Sequence, residues 1–144
     1  MVARVSTVAF QGIEAVPVDV QVMIAPGKSS MQIVGLGDKA VAESRERVRN
    51  AIHAVGLGFP FRHVTVNLAP ADLPKEGSHF DLAIAVAVLA AAEQLPRDSL
   101  ADTVFLGELT LSGGLRAVPG VLPMTMAAFA LGGKIDVLIK KRET

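Results

Sequence analysis

The segment Pro74-Lys75-Glu76-Gly77-Ser78-His79-Phe80-Asp81 places an amine, a hydroxyl, an imidazole and carboxylates on one short stretch of chain. These are the groups of nucleophile-and-base catalysis, which requires the base within hydrogen-bond reach of the nucleophile. The segment also runs directly into apolar sequence. That arrangement is equally suited to an anion or catalytic site at a helix N-terminus. A plainer account is a cap. Ser78 stands three positions before Asp81, the pattern of a capping box with Asp in place of Glu or Gln. Ser78 Oγ would then accept from a first-turn amide while Asp81 reaches back to the amide of Ser78. The cap is the preferred reading.

Three other features invite chemistry and offer less. Gly27-Lys28-Ser29 carries the end of a phosphate loop, but the motif needs a further glycine where Val22 stands, and a helix should follow. Met31 to Val34 reads as a strand instead, so the triplet is assigned to a turn with an exposed lysine. His53, His63 and His79 fall into no metal-binding spacing, and the chain has no cysteine, which excludes disulfides, thiolate zinc sites and thiol nucleophiles. Arg45, Arg47 and Arg49 lie on a predicted helix with acidic neighbours. They read as a mixed-sign solvated face, or as contacts to an anionic partner.

These residues must be positioned by a sizeable core. The chain has 144 residues, 51% hydrophobic, with 14 Lys plus Arg against 14 Asp plus Glu. One domain is expected. A net charge of zero exerts no overall pull on nucleic acid, so only a one-sided patch would attract it. No stretch reaches the roughly 18 apolar residues of a membrane span, and the N-terminus lacks the pattern of a signal peptide. A cytoplasmic location is expected. Phe supplies all six aromatic residues, which leaves few rings for stacking single-stranded bases.

The organising unit runs from Val64 to Gln94: a strand over Val64–Ala69, a polar loop from Pro70 to Gly77, and a helix from about His79 to Glu93. The helix is apolar all round and is therefore predicted to be buried. Asn67 is expected on the opposite face of its strand from Val64, Val66 and Leu68. Upstream, Val5–Phe10 is a strand. Val16, Val18, Val20, Val22 and Ile24 alternate with polar positions over a second, and the two predict an antiparallel hairpin. Pro17 belongs at an edge or outside the ladder. Gly35-Leu36-Gly37 turns into an amphipathic helix, N-capped by Asp38, supported by Glu43–Arg47 and Glu46–Arg49 pairs, and closed by Gly56. Downstream, Thr103–Leu106 is a short strand. Leu109–Leu111 and Leu115–Val118 flank a Gly113-Gly114 hairpin turn. A helix over Val121–Ala130 and a strand over Ile135–Ile139 follow.

The stretches NLAPADLPKEGSHFDLAIAVAVLAA and FLGELTLSGGLRAVPGVLPMTMAA resemble the N-terminal domain of the ComM/YifB proteins, bacterial magnesium-chelatase-like AAA+ ATPases. VARVSTVAFQGIEAVPVDVQVMIAPG and IVGLGDKAVAESRERVRNAI are similar as well, so the resemblance covers essentially the whole chain. It implies an α+β fold of the ribosomal protein S5 domain 2 type, a mixed β-sheet flanked by helices, as in the Lon proteolytic domain. It also implies that residues 1–144 are a single N-terminal domain of a longer protein. The AAA+ ATPase and C-terminal domains lie outside this chain, and ATP and Mg²⁺ belong to that AAA+ module rather than to this domain. Matched to the Lon Ser/Lys dyad, the nucleophile position becomes His79 and the lysine position Leu122. Leucine cannot serve as a base, and Lys75 is the only nearby substitute in sequence for activating Ser78. The dyad therefore reads as lost, and no catalytic, cofactor or metal residue is assigned.

The function implied is that of a non-catalytic accessory domain in a hexameric motor acting on DNA, in recombination and natural transformation. Its partners would be its own AAA+ module and neighbouring subunits. Candidate DNA or partner contacts are Arg45, Arg47, Arg49, Arg62, Lys140, Lys141 and Arg142. The competing expectations are an interaction or oligomerisation module that never touches DNA, a Lon-like serine hydrolase remnant, and the motor subunit of a metal chelatase.

Overall fold

In a computed structural model, residues 2–12, 14–96, 100, 103–116 and 134–135 are described here. Alternation of apolar and polar residues builds a long hairpin from β1 (Val2–Gln11) and β2 (Glu14–Ala25), paired antiparallel from Val2↔Met23 to Gln11↔Glu14. β3 (Ser30–Val34) and β4 (His63–Ala69) are parallel, joined through helix α1 (Asp38–Ala54). β4 returns antiparallel to β2. After α2 (Asp81–Ala91), β5 (Thr103–Val104) pairs parallel to β1. β6 (Glu108–Leu109) and β7 (Leu115–Arg116) form a separate hairpin, and β8 (Lys134–Ile135) joins β5. The main sheet is mixed, with order β3-β4-β2-β1-β5-β8. The fold is α+β.

Period-two patterning decides which face is covered. Val5, Val18, Val20, Val22, Val64, Val66 and Leu68 form one core with Val48, Ala51 and Ile52 of α1 and every residue of α2 from Leu82 to Ala91. Both helices therefore cover the same face. The uniformly apolar α2 is buried throughout, as its composition requires. The opposite face carries a polar row across three strands. Asn67 Nδ2 donates to Gln21 Oε1 (3.1 Å), Gln21 Nε2 to Asp19 Oδ2 (2.8 Å), and Arg4 Nη2 to the same oxygen (2.6 Å). Pro17 lies beyond the last β2–β4 pair, Asp19↔Ala69, where β2 has a neighbour on one side only.

The helix ends depart from the sequence expectation. Gly37, not Asp38, is the N-cap of α1, and no side chain bonds the first-turn amides. Asp38 is the first helical residue, where its charge still faces the positive end of the helix dipole. The C-terminus is as expected. Gly56 takes φ +83°, with Gly56 N–H donating to His53 O and Leu57 N–H to Ile52 O, a Schellman closure. α2 starts at Asp81, two residues later than expected, with Phe80 at the N-cap. It closes in the same way on Glu93, a non-glycine residue at φ +63°. The predicted helix over Val121–Ala130 and most of the strand over Ile135–Ile139 fall outside the described residues.

Candidate functional site

The loop from Pro70 to Phe80 leaves β4 and enters α2, and its three catalytic-looking side chains are all engaged elsewhere or alone. Lys75 is 5% exposed. Its Nζ donates to Pro70 O (2.5 Å) and Leu73 O (3.0 Å), so the ammonium ties the loop to itself. Burial lowers its pKa, opposed by the charge of Asp72. His79 is buried, with Nε2 against Val8 O at 2.8 Å and its ring 4.1 Å from that of Phe80. A carbonyl partner fixes Nε2–H as the donor, and burial holds the imidazole pKa below its ordinary value. Ser78 is half-buried, and none of the side-chain hydrogen bonds among the described residues reaches its hydroxyl. Among the described residues, none of the hydrogen bonds joins a base to that hydroxyl. Leu122 is outside the described residues.

The capping box does not form. Asp81 is fully buried and faces partners far away in sequence. Its Oδ1 accepts from Ser44 Oγ (2.8 Å) and Arg47 Nη2 (3.2 Å), and its Oδ2 from Arg47 Nε (2.6 Å) and the Leu109 amide (3.2 Å). The α2 amides that Ser78 would have capped are met by backbone instead. Asp81 N–H donates to Ser78 O at 3.3 Å, and Leu82 N–H to Gly107 O at 3.1 Å. Gly107 N–H in turn donates to His79 O at 2.9 Å. The segment Phe105–Leu109 thus docks on the start of α2. Burial raises the Asp81 carboxyl above the usual carboxylate range, against the pull of Arg47, Ser44 and the Leu109 amide. The same contact raises the pKa of Arg47 and keeps its guanidinium charged.

Arg47 also borders a cleft of about 620 Å³ between the start of α1 and the loop, where Asp38, Glu43, Lys75, Ser78 and Glu108 line the walls. Lys39 and Glu76 line it as well, so the cleft carries charges of both signs. No group of three or more His, Cys, Asp or Glu among the described residues could hold a metal ion. Gly27-Lys28-Ser29 is the turn between β2 and β3. A strand follows it, so its backbone cannot form the helix-opening cradle that a nucleotide phosphate needs, and it does not fit ATP.

The other arginines gather elsewhere. Arg45 donates from Nη1 to Met31 O (3.3 Å) at the β3 edge of the sheet. Arg49 lies over the Phe59 ring, 5.4 Å from its centroid. Arg62 is exposed, and its carbonyl accepts from the Ser30 amide. Ser30 Oγ donates to Lys28 O at 3.3 Å and also meets His63 Nδ1, bringing Lys28 to the same edge. Of the expected pairs, Glu43–Arg47 is present at 3.8 Å, whereas Glu46 accepts from Asn50. Lys140, Lys141 and Arg142 are outside the described residues. Sequence reasoning passed over Phe61. The structure exposes Phe61 while Phe59, two residues earlier, packs against the core.

The family described as Subunit ChlI of Mg-chelatase matches residues 20–141. The chain belongs to the ChlI family. Within that family it is 47% identical to YifB of Escherichia coli over 133 residues, 92% of this chain and 26% of the relative. It is 46% identical to the competence protein ComM of Haemophilus influenzae over 120 residues, 83% of this chain and 24% of the relative. More distantly, it is 23% identical over 148 residues to the Lon protease of Mesomycoplasma hyopneumoniae, across 99% of this chain and 17% of that protein. The chain spans about a quarter of the length of the ChlI-family relatives it matches.

In this ChlI-family chain the loop between β4 and α2 acts as a brace. Lys75 fastens its outer turn, His79 fastens its base to β1, and Asp81 fastens the helix start to α1 and β6. Gly77 permits the bend between the first two, at φ +97°, where a Cβ would come 3.1 Å from His79 Nδ1. Among the described residues, no helix is long and apolar enough to cross a membrane.

Proposed function

We propose that this chain is a non-catalytic accessory domain at the N-terminus of a magnesium-chelatase-like AAA+ ATPase of the ComM/YifB kind, and that it helps that motor engage DNA. The fold would be the ribosomal protein S5 domain 2 type shared with the Lon proteolytic domain. The parallel β3–α1–β4 unit and the similarity to a Lon protease support that assignment. ATP and Mg²⁺ would be held by the AAA+ module, in a cytoplasmic hexamer, with DNA recombination and natural transformation as the setting that the ComM relative suggests.

The observation that carries the DNA reading is the grouping of cations at the β3 edge. A neutral chain attracts nucleic acid only through a one-sided patch. Arg45, Arg49, Arg62 and Lys28 lie toward the β3 edge, whereas the cleft mixes Asp38, Glu43, Glu76 and Glu108 with Lys39, Arg47 and Lys75. The accessory reading is supported by Lys75, whose ammonium is spent on Pro70 O and Leu73 O, and by Ser78, whose hydroxyl is bonded to no base among the described residues.

The test is fluorescence anisotropy with forked, single-stranded and duplex DNA at low and moderate salt. An Arg45→Gln/Arg49→Gln/Arg62→Gln variant is compared with wild type, leaving Arg47 intact because it holds Asp81. Salt-dependent binding lost in the variant is the expected result. A folded wild-type sample that binds no DNA at low salt moves the assignment to assembly or partner recruitment.

A further inference from the structure

Phe61 is 89% exposed, more than any other large hydrophobic side chain among the described residues. The chain around it is held on several sides. Leu57 N–H donates to Ile52 O (3.2 Å), Gln94 Nε2 to Gly58 O (3.1 Å), and Ser30 N–H to Arg62 O (3.2 Å). Phe59 packs against the core beneath Arg49. Phe61 is therefore presented by an anchored loop whose ordering is already accounted for in the fold, and preorganisation of this kind favours binding.

The surroundings of the ring select its partner. Arg62 follows it, Arg49 caps the ring two residues before it, and Lys28 and Arg45 lie on the adjoining β3 edge. Residues 56–62 contain no acid. A groove of about 360 Å³ adjoins them, lined by Ile24, Pro60, Arg62, Ala92, Glu93 and Gln94. Glu93 is the acidic residue of that groove. An exposed ring among cations suits a polyanion that offers flat faces. Unpaired bases offer such faces, whereas those of a duplex are stacked and closed.

We infer that the Phe59–Arg62 loop is a platform for single-stranded nucleic acid, with Phe61 stacking one base and Arg62, Arg49 and Lys28 neutralising the flanking phosphates. This rests on the DNA reading above and narrows it to single strands.

The chain contains no Trp and no Tyr, so Phe61→Trp creates a unique fluorophore at the platform. Titration with oligothymidylate is expected to quench it saturably, while a blunt duplex of equal length leaves it unchanged at the same salt. By anisotropy, Phe61→Ala is expected to weaken oligothymidylate binding about tenfold, within the range of one lost stacking contact. Phe61→Leu, which keeps an apolar contact but has no ring, should weaken it as much. The salt dependence should stay unchanged in both, whereas Arg62→Gln should reduce its slope by about 0.7. If wild type binds oligothymidylate and Phe61→Ala binds it equally well, the platform is wrong and the broader DNA reading survives. If Phe61→Leu binds like wild type, stacking is wrong. If wild type binds no nucleic acid at all, both readings fall together.

Discussion

Three arginines stand two apart on α1, and they face different partners. Arg47 turns inward with Ser44 to a buried carboxylate, while Arg45 and Arg49 turn outward to the β3 edge. Helix geometry enforces the division. Positions four apart share a face and positions two apart do not, so Arg45 and Arg49 align while Arg47 aligns with Glu43 and Ser44. Identical side chains within one turn and a half thus divide into a structural cation and surface cations. A count of charge along the segment misses this, because what separates them is the direction in which each faces.

The largest effect that tests the division is on Arg47. Arg47→Ala leaves Asp81 buried with its charge unpaired and is expected to cost about 3–5 kcal/mol in urea unfolding. Asp81 has 0% exposure with Arg47 in place. An Arg47→Leu/Asp81→Leu double variant, which removes both charges, should recover most of that loss. Were Arg47 merely another surface cation, Arg47→Ala would unfold within about 0.5 kcal/mol of wild type.

Lys75→Met comes next. It deprives Pro70 O and Leu73 O of a charged donor, with an expected loss of about 1–3 kcal/mol by the same measurement. Hydrogen exchange should quicken in the Pro70–Ser78 loop more than in β4. A variant whose loop exchanges at the wild-type rate would show that the ammonium does not brace it.

These predictions fall where the sequence was least legible. The β1–β2 hairpin, the buried α2 and the Gly56 closure follow from patterns within a few residues, and period-two alternation places Val18, Val20 and Val22 on the core without further information. Ser78 and Asp81 also made a local pattern, but their outcome was decided at a distance. Gly107 reaches the first turn of α2 from 25 positions away from Leu82. Asp81 then has better partners in Ser44, Arg47 and the Leu109 amide than in its own helix start. A capping box competes with every donor the fold brings near, and a sequence window does not contain them. Likewise Lys75 is a plausible base in sequence, and only the curl of the loop onto its own carbonyls reveals how it is used.

Acid titration separates the two regions in another way. His79 is buried and neutral, so its folded pKa lies below its ordinary 6.5. The unfolded chain takes up that proton first, and stability must fall as pH drops from about 6.5 toward the folded value. One proton limits the slope to about 1.4 kcal/mol per pH unit. Asp81 works with the opposite sign in a lower window. Its folded pKa is raised, so the folded chain protonates first and part of the loss is offset there. His79→Gln keeps a donor for Val8 O and removes the titration. Denaturation midpoints between pH 7 and 5 should therefore be flatter in that variant than in wild type, and an unchanged slope would assign the acid limb to other groups.

The smallest stability effect belongs to the outward face. Arg49→Ala removes a cation lying over Phe59, and an exposed contact of that kind contributes about 0.5–1 kcal/mol. The value of Arg49 as a probe lies in the contrast with Arg47→Ala. If the β3 edge meets DNA, Arg49→Ala should lower affinity for it more than it lowers stability, and added salt should shrink the difference between variant and wild type, because a phosphate contact is lost. If Arg49 serves only to hold Phe59 down, the ring should loosen, Phe61 should lose its fixed presentation, and any loss of affinity should persist at high salt. The salt dependence of a single variant thus decides whether this arginine contacts a ligand or supports the loop that does.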